Sequence, residues 1–403
     1  MRKIDVWIND RFPLLSTFRR YFSQYYVAKN LNFYYCFGGL AVFVLLNQIV
    51  TGAWLSMFYS PVATKAFDSI QYIMRDVNYG WLFRYMHTTG ASALYIVLYL
   101  HMFRGLAYGS YQKPRELVWI LGVILFFLML AQSFFGYVLP WGQMSYWAGQ
   151  VITSLFSAIP IFGEKIVVWI RGDFVLSGVS LQRFYALHIV IVPITIIILV
   201  FLHIVAIHHV GSNNPEGIEI KDNLDSNGKP LDGLPFYPYY MFKDFVAVLI
   251  FLIIFFAIVF FFPDMGGYFI EAANFAKANN MQSPDVIEPA WYMMPFYSIL
   301  RSIPNKQLGA FLLASSLLIL LFLPWLDKST VRSIRYKGKL SNIFLVGLVL
   351  SFLGLGFLGT KSTTLLNLIF ARICIVVYFS YFLLMPFYTK IEKCKQLPTR
   401  IYQ

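Results

Sequence analysis

Eight long apolar segments alternate with polar connections along this chain. They lie near residues 33–58, 79–106, 116–139, 183–209, 243–262, 307–326, 340–358 and 364–386. A helix needs about 20 residues to cross the hydrocarbon core of a bilayer, and each segment is that long or nearly so. The pattern predicts an all-α integral membrane protein with eight transmembrane helices, of which the first four form a bundle.

Three of the polar connections are too long to be simple turns. Residues 140–182 mix short apolar stretches with prolines and glycines, which predicts interfacial helices on the outer face, and residues 263–306 form a second outer connection. Residues 210–241 are rich in Asn, Asp, Gly and Pro and predict a water-exposed cytoplasmic loop. Connections of this length are usually functional, so we expect chemistry in them.

The same pattern divides the chain into four parts. In residues 1–32, Ile4, Val6, Trp7 and Ile8 stand among charges, which is typical of an amphipathic helix on the cytoplasmic side of the membrane. Residues 33–210 form the four-helix bundle with its outer-face helices, and residues 211–241 form the cytoplasmic loop. Residues 242–403 form a C-terminal four-helix domain that contains no histidine.

The composition supports the membrane assignment, and the charge distribution orients the chain. Only 13% of the residues are charged, against about 25% in soluble proteins. Most cations lie at the termini and on the connections that share their side: Arg2, Lys3, Arg11, Arg19, Arg20, Lys29, Lys113, Arg115, Lys328, Arg332, Arg335, Lys337, Lys339, Lys390, Lys393, Lys395 and Arg400. The positive-inside rule then places both termini in the cytoplasm. The net charge of +13 therefore requires no nucleic acid partner.

Four histidines form two pairs within the apolar segments. His87 and His101 are fourteen residues apart, and His188 and His203 are fifteen apart. Fourteen residues of α-helix rise about 21 Å and return to nearly the same face. A single membrane histidine is more often a packing residue, but ionisable side chains at this depth by default mark a functional site. The two pairs predict two stacked bis-histidine haem sites, His87 with His188 outside and His101 with His203 on the cytoplasmic side.

Glycines recur at the histidine interval in two other apolar segments. Gly38 is followed by Gly52, and Gly122 by Gly136, each pair fourteen residues apart. A glycine lets a flat macrocycle lie against the backbone, although small residues also serve helix packing in membranes. Together with the histidine pairs, these glycines favour haem binding.

Arginines and one proline add to the predicted haem sites. Arg84, Arg104 and Arg183 lie three to five residues from histidines. Guanidinium groups suit the anionic propionates of haem, and ordinary interfacial anchoring is the alternative. Bis-histidine ligation leaves no open iron position, so we expect low-spin b-type haems that carry electrons. Pro193 predicts a kink that helps to absorb the extra residue between His188 and His203. The three cysteines form no C-x-x-C-H motif, which argues against covalently attached haem.

Three further motifs carry a family resemblance. They are GYVLPWGQMS at residues 136–145, HVGSNNP at 209–215 and LRSIPNK at 300–306. With the histidine pairs, residues 29–390 resemble the cytochrome b subunit of the quinol–cytochrome c reductase (cytochrome bc) complex. The resemblance implies a catalytic subunit that oxidises ubiquinol at an outer site, moves electrons through two haem b groups and reduces ubiquinone at an inner site, which contributes to a proton gradient. It also implies a Rieske-type iron–sulfur protein, a cytochrome c1-type subunit and membrane lipid as partners, in a homodimer of the complex.

The resemblance places the outer quinol site between Gly142 and the segment that contains Pro289, Trp291 and Tyr292. Most members of the family have Glu where this chain has Ala290, so that proton acceptor is missing. Glu288 is a candidate replacement, although an extended or irregular segment would aim its side chain elsewhere. Tyr292, water or another carboxylate are the alternatives.

The resemblance places the inner quinone site at His208, Ser212 and Asp244, with Lys243 adjacent. A neutral imidazole and a carboxylate can hydrogen-bond quinone oxygens and deliver protons. Without the resemblance, His208 is interpreted as a polar residue at a helix end. In the family that the chain resembles, mitochondrial members typically have fourteen residues in this interval, whereas plastid-type and some bacterial members have fifteen. The fifteen-residue interval between His188 and His203 therefore implies, by this resemblance, a bacterial inner membrane rather than a mitochondrial one.

Two other classes of protein stay open on the sequence alone. A membrane anchor of a dehydrogenase also uses bis-histidine haem, but it needs only four or five spans. A haem-free transporter would use the membrane histidines as a proton relay, and it leaves the spacing of the glycines and arginines without a cause.

Overall fold

A computed structural model describes residues 3–11, 13 and 24–401 of the chain. Arg2, Arg19, Arg20 and part of the predicted amphipathic segment lie outside the described residues. Residues Lys3–Arg11 form a helix in which Trp7 and Ile4 are exposed.

The eight predicted transmembrane helices are confirmed among the described residues. Eight helices are long and apolar enough to span a membrane: Phe33–Ser56, Gly80–Ala107, Glu116–Val138, Gly178–Val210, Phe236–Phe261, Lys306–Leu326, Lys339–Gly359 and Leu365–Leu383. Most of their ends lie within a few residues of the predicted bounds. The fourth and fifth helices begin earlier than predicted, at Gly178 and Phe236, because amphipathic turns continue directly into their apolar parts.

We number the helices in chain order and count the fourth span as one helix. The helices are α1 Lys3–Arg11, α2 Phe37–Ser56, α3 Ala66–Arg75, α4 Gly80–Ala107, α5 Glu116–Val138, α6 Gln143–Ser154, α7 Gly163–Arg171, α8 Gly178–Val210, α9 Met241–Phe261, α10 Met294–Arg301, α11 Lys306–Leu326, α12 Lys339–Gly359, α13 Leu365–Leu383 and α14 Met385–Ile391. The strands β1 Tyr26–Ala28 and β2 Gly233–Pro235 pair antiparallel. Short 3₁₀ turns occur at Phe33–Cys36, Leu155–Ala158, Ile220–Asp222, Met265–Gly267, Ala272–Phe275 and Trp291–Met293.

The first four spans pack as two pairs. Helix α2 lies along α4, and α5 lies along α8. A cluster of buried residues that includes Leu40, Val44, Ala93 and Ile196 fills the space among these helices. The second half packs onto α5, where the indole Nε1 of Trp119 donates a hydrogen bond of 2.7 Å to the carbonyl of Leu320.

A π-helical turn interrupts α8 at Leu187–Ile191, immediately before Pro193. Proline has no backbone N–H and its ring clashes with the carbonyl four residues earlier, so the preceding turn cannot stay α-helical at no cost. A π-turn holds one more residue than an α-turn. The extra residue between His188 and His203 therefore lies in this turn, close to the first histidine of the pair.

The outer face carries the two long outer connections. Helices α6 and α7 follow α5 there, with Gly172 ending α7 in the left-handed conformation. The second connection returns over them, since the N–H of Gln143 donates to the carbonyl of Ala276 (2.9 Å) and the N–H of Ala278 donates to that of Trp141 (3.1 Å). The two connections thus form one layer.

Ion pairs tie the opposite face together. Arg115 is 1% exposed and donates to both oxygens of Glu219 (2.6 and 3.0 Å), and Arg332 donates to the same carboxylate (2.6 Å). Burial alone would raise the pKa of Glu219, but the two guanidinium groups hold it below its usual value. Asp232 likewise binds Lys29 (3.2 Å) and Arg400 (2.8 Å). Many of the cations that predict the orientation therefore also hold loops and the C-terminal segment in place.

A buried ion pair joins the ends of α11 and α12. The ammonium of Lys337 lies 2.5 Å from Oδ2 of Asp327, which also accepts hydrogen bonds from Tyr111 (2.7 Å) and Gln112 (2.8 Å). The Asp327 and Lys337 side chains are 0% and 6% exposed. Removal of one partner leaves an uncompensated buried charge.

We expect Lys337→Met to destabilise the protein by about 3–5 kcal/mol, because the carboxylate of Asp327 stays buried without its cation. The thermal denaturation midpoint of the detergent-solubilised protein measures this. The double variant Asp327→Asn/Lys337→Met should regain much of the loss, and the exposed Lys339→Met is the control. Equal midpoints for Lys337→Met and Lys339→Met would show that the pair contributes nothing.

Candidate functional site

The outer histidine rings face each other across the first bundle. The ring centroids of His87 and His188 are 6.2 Å apart. Each ring edge lies against a glycine of the neighbouring helix: a Cβ at Gly52 would lie 3.0 Å from Cε1 of His87, and one at Gly136 would overlap His188 more closely still. Both glycines therefore leave room for an imidazole.

Hydrogen bonds orient the two outer imidazoles. Nδ1 of His87 lies 2.9 Å from the hydroxyl of Thr51, which donates its own proton to the carbonyl of Asn47 (2.7 Å). Nδ1 of His188 lies 2.9 Å from the carbonyl of Gln132. Each Nδ1 must therefore donate, which leaves the lone pair of each Nε2 free to bind a metal ion.

The inner histidine rings also face each other, toward the other end of the same helices. The ring centroids of His101 and His203 are 6.4 Å apart. A Cβ at Gly38 would lie 3.3 Å from Cε1 of His101, and one at Gly122 would lie 3.3 Å from Cε1 of His203. Since α2 supplies the glycines for α4, and α5 supplies those for α8, both sites rest on the same two helix pairs.

The two histidine pairs suit a metal ion held between imidazoles. Two metal–nitrogen bonds of about 2.0 Å each, with the radii of the rings added, separate the centroids by about 6 Å. Both observed separations match this value. The glycines keep the space beside each ring free of side chains, which a flat macrocycle requires.

The three arginines occupy different positions. Arg84 lines a large cavity beside the outer histidine pair. Arg104 lies beside the inner pair, with Nη2 3.4 Å from Nδ1 of His101 and its guanidinium over the ring of Tyr35. Arg183 is exposed and donates to the carbonyl of Trp169 (2.7 Å). Its position gives no support to contact with a haem.

A cavity of about 650 Å³ extends from the outer histidine pair to the second outer connection. It is lined by His87, His188 and Arg84, and also by Glu288, Pro289, Ala290, Trp291 and Tyr292. Sites for small molecules typically have volumes of about 300–1,000 Å³. The structure therefore brings the predicted outer haem ligands and most of the predicted quinol-site residues to one cavity.

Tyrosines of α4 hold one wall of this cavity. The ring of Tyr292 stacks on that of Tyr95 with 3.7 Å between the centroids, and the hydroxyl of Tyr99 donates to the carbonyl of Tyr292 (2.5 Å). The indole of Trp291 donates to the hydroxyl of Ser92 (3.1 Å). Burial raises the pKa of Tyr292 to about 12. Near neutral pH this phenol is therefore a hydrogen-bond donor and not a base.

The position of Glu288 differs from the sequence expectation. Its side chain was expected to point away from the site, but Glu288 and Ala290 line the same cavity. The backbone of Ala290 is extended (φ −56°, ψ 148°), and Glu288 stands two residues before it. Glu288 is therefore placed near the position that Ala290 leaves without an acid.

Gly142 acts on the cavity through a neighbour. A Cβ there would lie 2.7 Å from Oδ1 of Asn274, a residue that does line the cavity. The same oxygen accepts hydrogen bonds from the N–H (2.7 Å) and hydroxyl (2.9 Å) of Ser145, and Nδ2 of Asn274 donates to the hydroxyl of Tyr137 (3.3 Å). Gly142 lets the second outer connection dock at the start of α6.

A second cavity, of about 380 Å³, lies toward the opposite face. Lys243 and Asp244 line it together with Cys36, Tyr240 and Phe236. The carboxylate of Asp244 faces Gly39, where a Cβ would lie 3.4 Å from Oδ2. The cavity provides an acid and a cation in apolar surroundings.

His208 and Ser212 lie beside this cavity without lining it. The ring of His208 packs on Tyr25 at 4.2 Å between centroids, and Tyr25 contacts Phe236 (6.5 Å) and hydrogen-bonds Ser212. Of the four predicted inner-site residues, Lys243 and Asp244 therefore line the cavity, whereas His208 and Ser212 contact Tyr25. The sequence had no signal for Tyr25, because its contacts come from distant segments.

Thr51, Gln132, Tyr95 and Asn274 were also missed by the sequence reasoning. Thr51 and Gln132 each lie within four residues of a predicted glycine, so a search around the glycines could have found them. Tyr95 and Asn274 owe their positions to tertiary contacts alone.

The chain is similar in sequence to known proteins. Residues 22–211 match the family model "Cytochrome b/b6/petB", and residues 277–379 match "Cytochrome b(C-terminal)/b6/petD". Cytochrome b of Allochromatium vinosum is 53% identical over 98% of this chain and 97% of its own length. Cytochrome b of Rickettsia prowazekii is 46% identical over 97% of this chain and 96% of its own length.

One solved structure has the same fold. A chain of a "Hyperthermophilic respiratory Complex III" superposes with a TM-score of 0.90 at 37% identity, and the match covers 96% of this chain and 98% of that one. The sequence matches, the eight spans and the fold agree, and this chain belongs to the cytochrome b family of the bc-type respiratory complexes.

Proposed function

We propose that this chain is the catalytic cytochrome b subunit of a quinol–cytochrome c reductase. It oxidises ubiquinol in the outer cavity, moves electrons across the membrane through two bis-histidine haem b sites and reduces ubiquinone at the inner cavity. Oxidation outside releases protons there and reduction inside takes up cytoplasmic protons, which builds a proton gradient. The observation that carries this proposal is the single cavity shared by the outer histidine pair and residues 288–292.

His87 and His188 are the proposed ligands of the outer haem, and His101 and His203 those of the inner haem. A haem bound at each site would supply one-electron redox chemistry, and the two imidazoles of that site would hold its iron. Thr51 supports this role by holding the proton of the His87 ring on Nδ1. Gly38, Gly52, Gly122 and Gly136 give the rings their positions, and Arg84 and Arg104 supply cations at the two levels.

In the outer cavity, Trp291 and Tyr292 form a rigid wall for a quinol ring. Their contacts with Ser92, Tyr95 and Tyr99 remove rotameric freedom before substrate binds. Pro289 keeps its segment extended, and Gly142 admits the docked connection. Glu288 lies where a carboxylate can take a proton from a quinol hydroxyl.

In the inner cavity, Asp244 is the proposed proton donor to quinone and Lys243 a cation that attracts developing negative charge. Tyr25 contacts His208, Ser212 and Phe236, and His208 and Ser212 join the site across this ring through bound water.

The proposed partner subunits follow from the relatives, and the proposed orientation in the membrane follows from the distribution of Lys and Arg. One relative, the "Cytochrome b/c1" protein of Bradyrhizobium diazoefficiens, is 44% identical over 98% of this chain, which makes up 56% of that protein. We propose a cytochrome c1-type subunit and a Rieske-type iron–sulfur protein as partners, with lipid, in a homodimer of the complex. The chain would lie in a bacterial inner membrane with both termini cytoplasmic, divided at residues 33, 211 and 242.

The contacts between the halves do not favour the two alternatives. A four-span anchor has no use for Tyr292 and Phe296, which pack with Tyr95 and Phe126 in one buried cluster. A haem-free proton relay would need the Nδ1 protons that Thr51 and Gln132 hold.

His87 and His188 are proposed to ligate one and the same haem. The complex should show two reducible b-type components, and His87→Leu or His188→Leu should each remove the same one, because both ligate the outer haem. Optical redox titration of purified complex measures this, with His209→Leu as the exposed control. One component in the wild type, or different losses in the two variants, would contradict the proposal.

A graded series of glycine variants tests the contacts beside the rings. Gly136→Ala should disturb the outer haem most, because its Cβ overlaps His188, whereas Gly122→Ala at 3.3 Å should be tolerated. Overpacking of this kind costs about 1–3 kcal/mol. The midpoint potential and the occupancy of each haem give the readout. A larger effect at Gly122 than at Gly136 would show that the glycines serve another purpose.

Asp244→Asn should slow quinone reduction at the inner site by about 10²-fold, the usual size of a general-acid contribution. The rate of reoxidation of the inner haem by added quinone, with the outer site inhibited, isolates this step. Asp222→Asn, on the exposed cytoplasmic loop, is the matched control. Equal rates in the two variants would remove Asp244 from the mechanism.

A further inference from the structure

A second carboxylate lines the outer cavity. Glu271 immediately precedes the 3₁₀ turn Ala272–Phe275, which contains Asn274. It lines the same cavity as Glu288 and Tyr292. Glu271 and Glu288 are both half-buried. The sequence pattern does not predict that Glu271 and Glu288 share a cavity, because they lie on separate parts of the second outer connection.

The structure leaves both carboxylates without a cation partner. Among the described residues, no Lys, Arg or His nitrogen lies within 4.0 Å of either one. The nearby cations are engaged elsewhere: Lys277 pairs with Asp68 at 2.9 Å, and Arg301 donates to the carbonyls of Leu358 (2.8 Å) and Lys361 (2.5 Å). Within the described part of the chain, no ion pair therefore holds either carboxylate away from the cavity.

The turn that carries Glu271 is held rigidly at the cavity. The carbonyl of Glu271 accepts a hydrogen bond from the N–H of Asn274 (3.0 Å), and the side chain of Asn274 is fixed by Ser145 and Tyr137. Ser145 is fully buried. The carboxylate therefore stands on a fixed element, as a group that exchanges protons with substrate must.

We propose that Glu271 is a catalytic residue of the outer cavity that works with Glu288 as the proton acceptor for quinol oxidation. This inference rests on the proposed outer quinol site. The pair takes the place of a single acid, which position 290 does not provide because it is Ala.

Oxidation of one quinol breaks two O–H bonds and releases two protons and two electrons. The proposed function supplies two one-electron acceptors, the partner iron–sulfur protein and the haem that His87 and His188 would hold. One proton forms an O–H bond on a carboxylate of the pair and then leaves to the outer water, and the other leaves with the iron–sulfur partner.

The charges around Glu288 agree with this role. Burial raises the pKa of the Glu288 carboxyl, the negative charge of Glu271 raises it further, and Arg301 opposes both. The hydroxyls of Tyr137 and Tyr297 also face it. Since only the ionised carboxylate accepts a proton, the rate of quinol oxidation should fall as the pH falls through this raised pKa. Removal of Glu271 should move that fall to lower pH.

The test compares Glu271→Gln, Glu288→Gln and the double variant in the assembled complex, with Asp285→Asn as the exposed control on the same connection. Each single variant should lower kcat about tenfold, and the double variant should lower it at least 10²-fold, the range of general-base catalysis. Glu271→Asp should keep most of the rate. Optical spectra with both b-type components intact show that each variant has folded.

A second readout does not depend on turnover. Infrared titration of the resting complex follows the carboxyl band of Glu288, and Glu271→Gln should shift its titration to lower pH. The inference is overturned if Glu271→Gln matches Asp285→Asn in kcat, in the acid side of the pH profile and in the infrared titration. A wild-type complex that lacks two b-type components or quinol oxidation would instead overturn the proposed function itself.

Discussion

The close approach of glycine backbone to imidazole is the contact on which the rest of the structure depends. It occurs at two levels on each of two helix pairs, α2 with α4 and α5 with α8. Without a Cβ at these four positions, each ring can lie in the interface between helices and still turn one nitrogen into the bundle. Since membrane helices gain little from the hydrophobic effect, such close packing and a few hydrogen bonds decide how they associate. The same contacts thus hold the bundle and place its ligands.

The second outer connection completes one wall of the cavity beside the outer histidine pair. The second outer connection docks on α6 through Gly142 and Asn274, and its later part stacks Tyr292 on Tyr95. The docking brings acids from two parts of the loop to a cavity that already holds a histidine pair. The proposed electron and proton acceptors are then near each other, as the coupled chemistry of the proposed quinol substrate requires. An acid at position 290 is not needed for that arrangement, because the loop offers Glu271 and Glu288.

Charges on the opposite face have two roles. As a set, the Lys and Arg residues predict the orientation of the spans by their excess on one side. Individually, Arg115 and Arg332 neutralise Glu219, and Arg400 and Lys29 neutralise Asp232. These pairs attach the cytoplasmic loop and the C-terminal segment to the helix ends. Composition reveals the first role, whereas only the contacts reveal the second.

The sequence by itself determined the number of spans, their approximate ends and the positions of the histidine and glycine pairs. Helices in lipid must satisfy their own backbone hydrogen bonds, so they appear in the sequence as long apolar segments. The sequence also determined the separation of His87 and His101 along α4, since the rise per residue of an α-helix is constant. Only the tertiary structure decided that the extra residue of α8 lies in a π-turn, that Glu288 faces the cavity, and that Glu271 joins it. It also placed His208 against Tyr25 and Asp244 in the lining of the second cavity. These features depend on contacts between residues far apart in the chain, for which local patterns of polarity carry no signal.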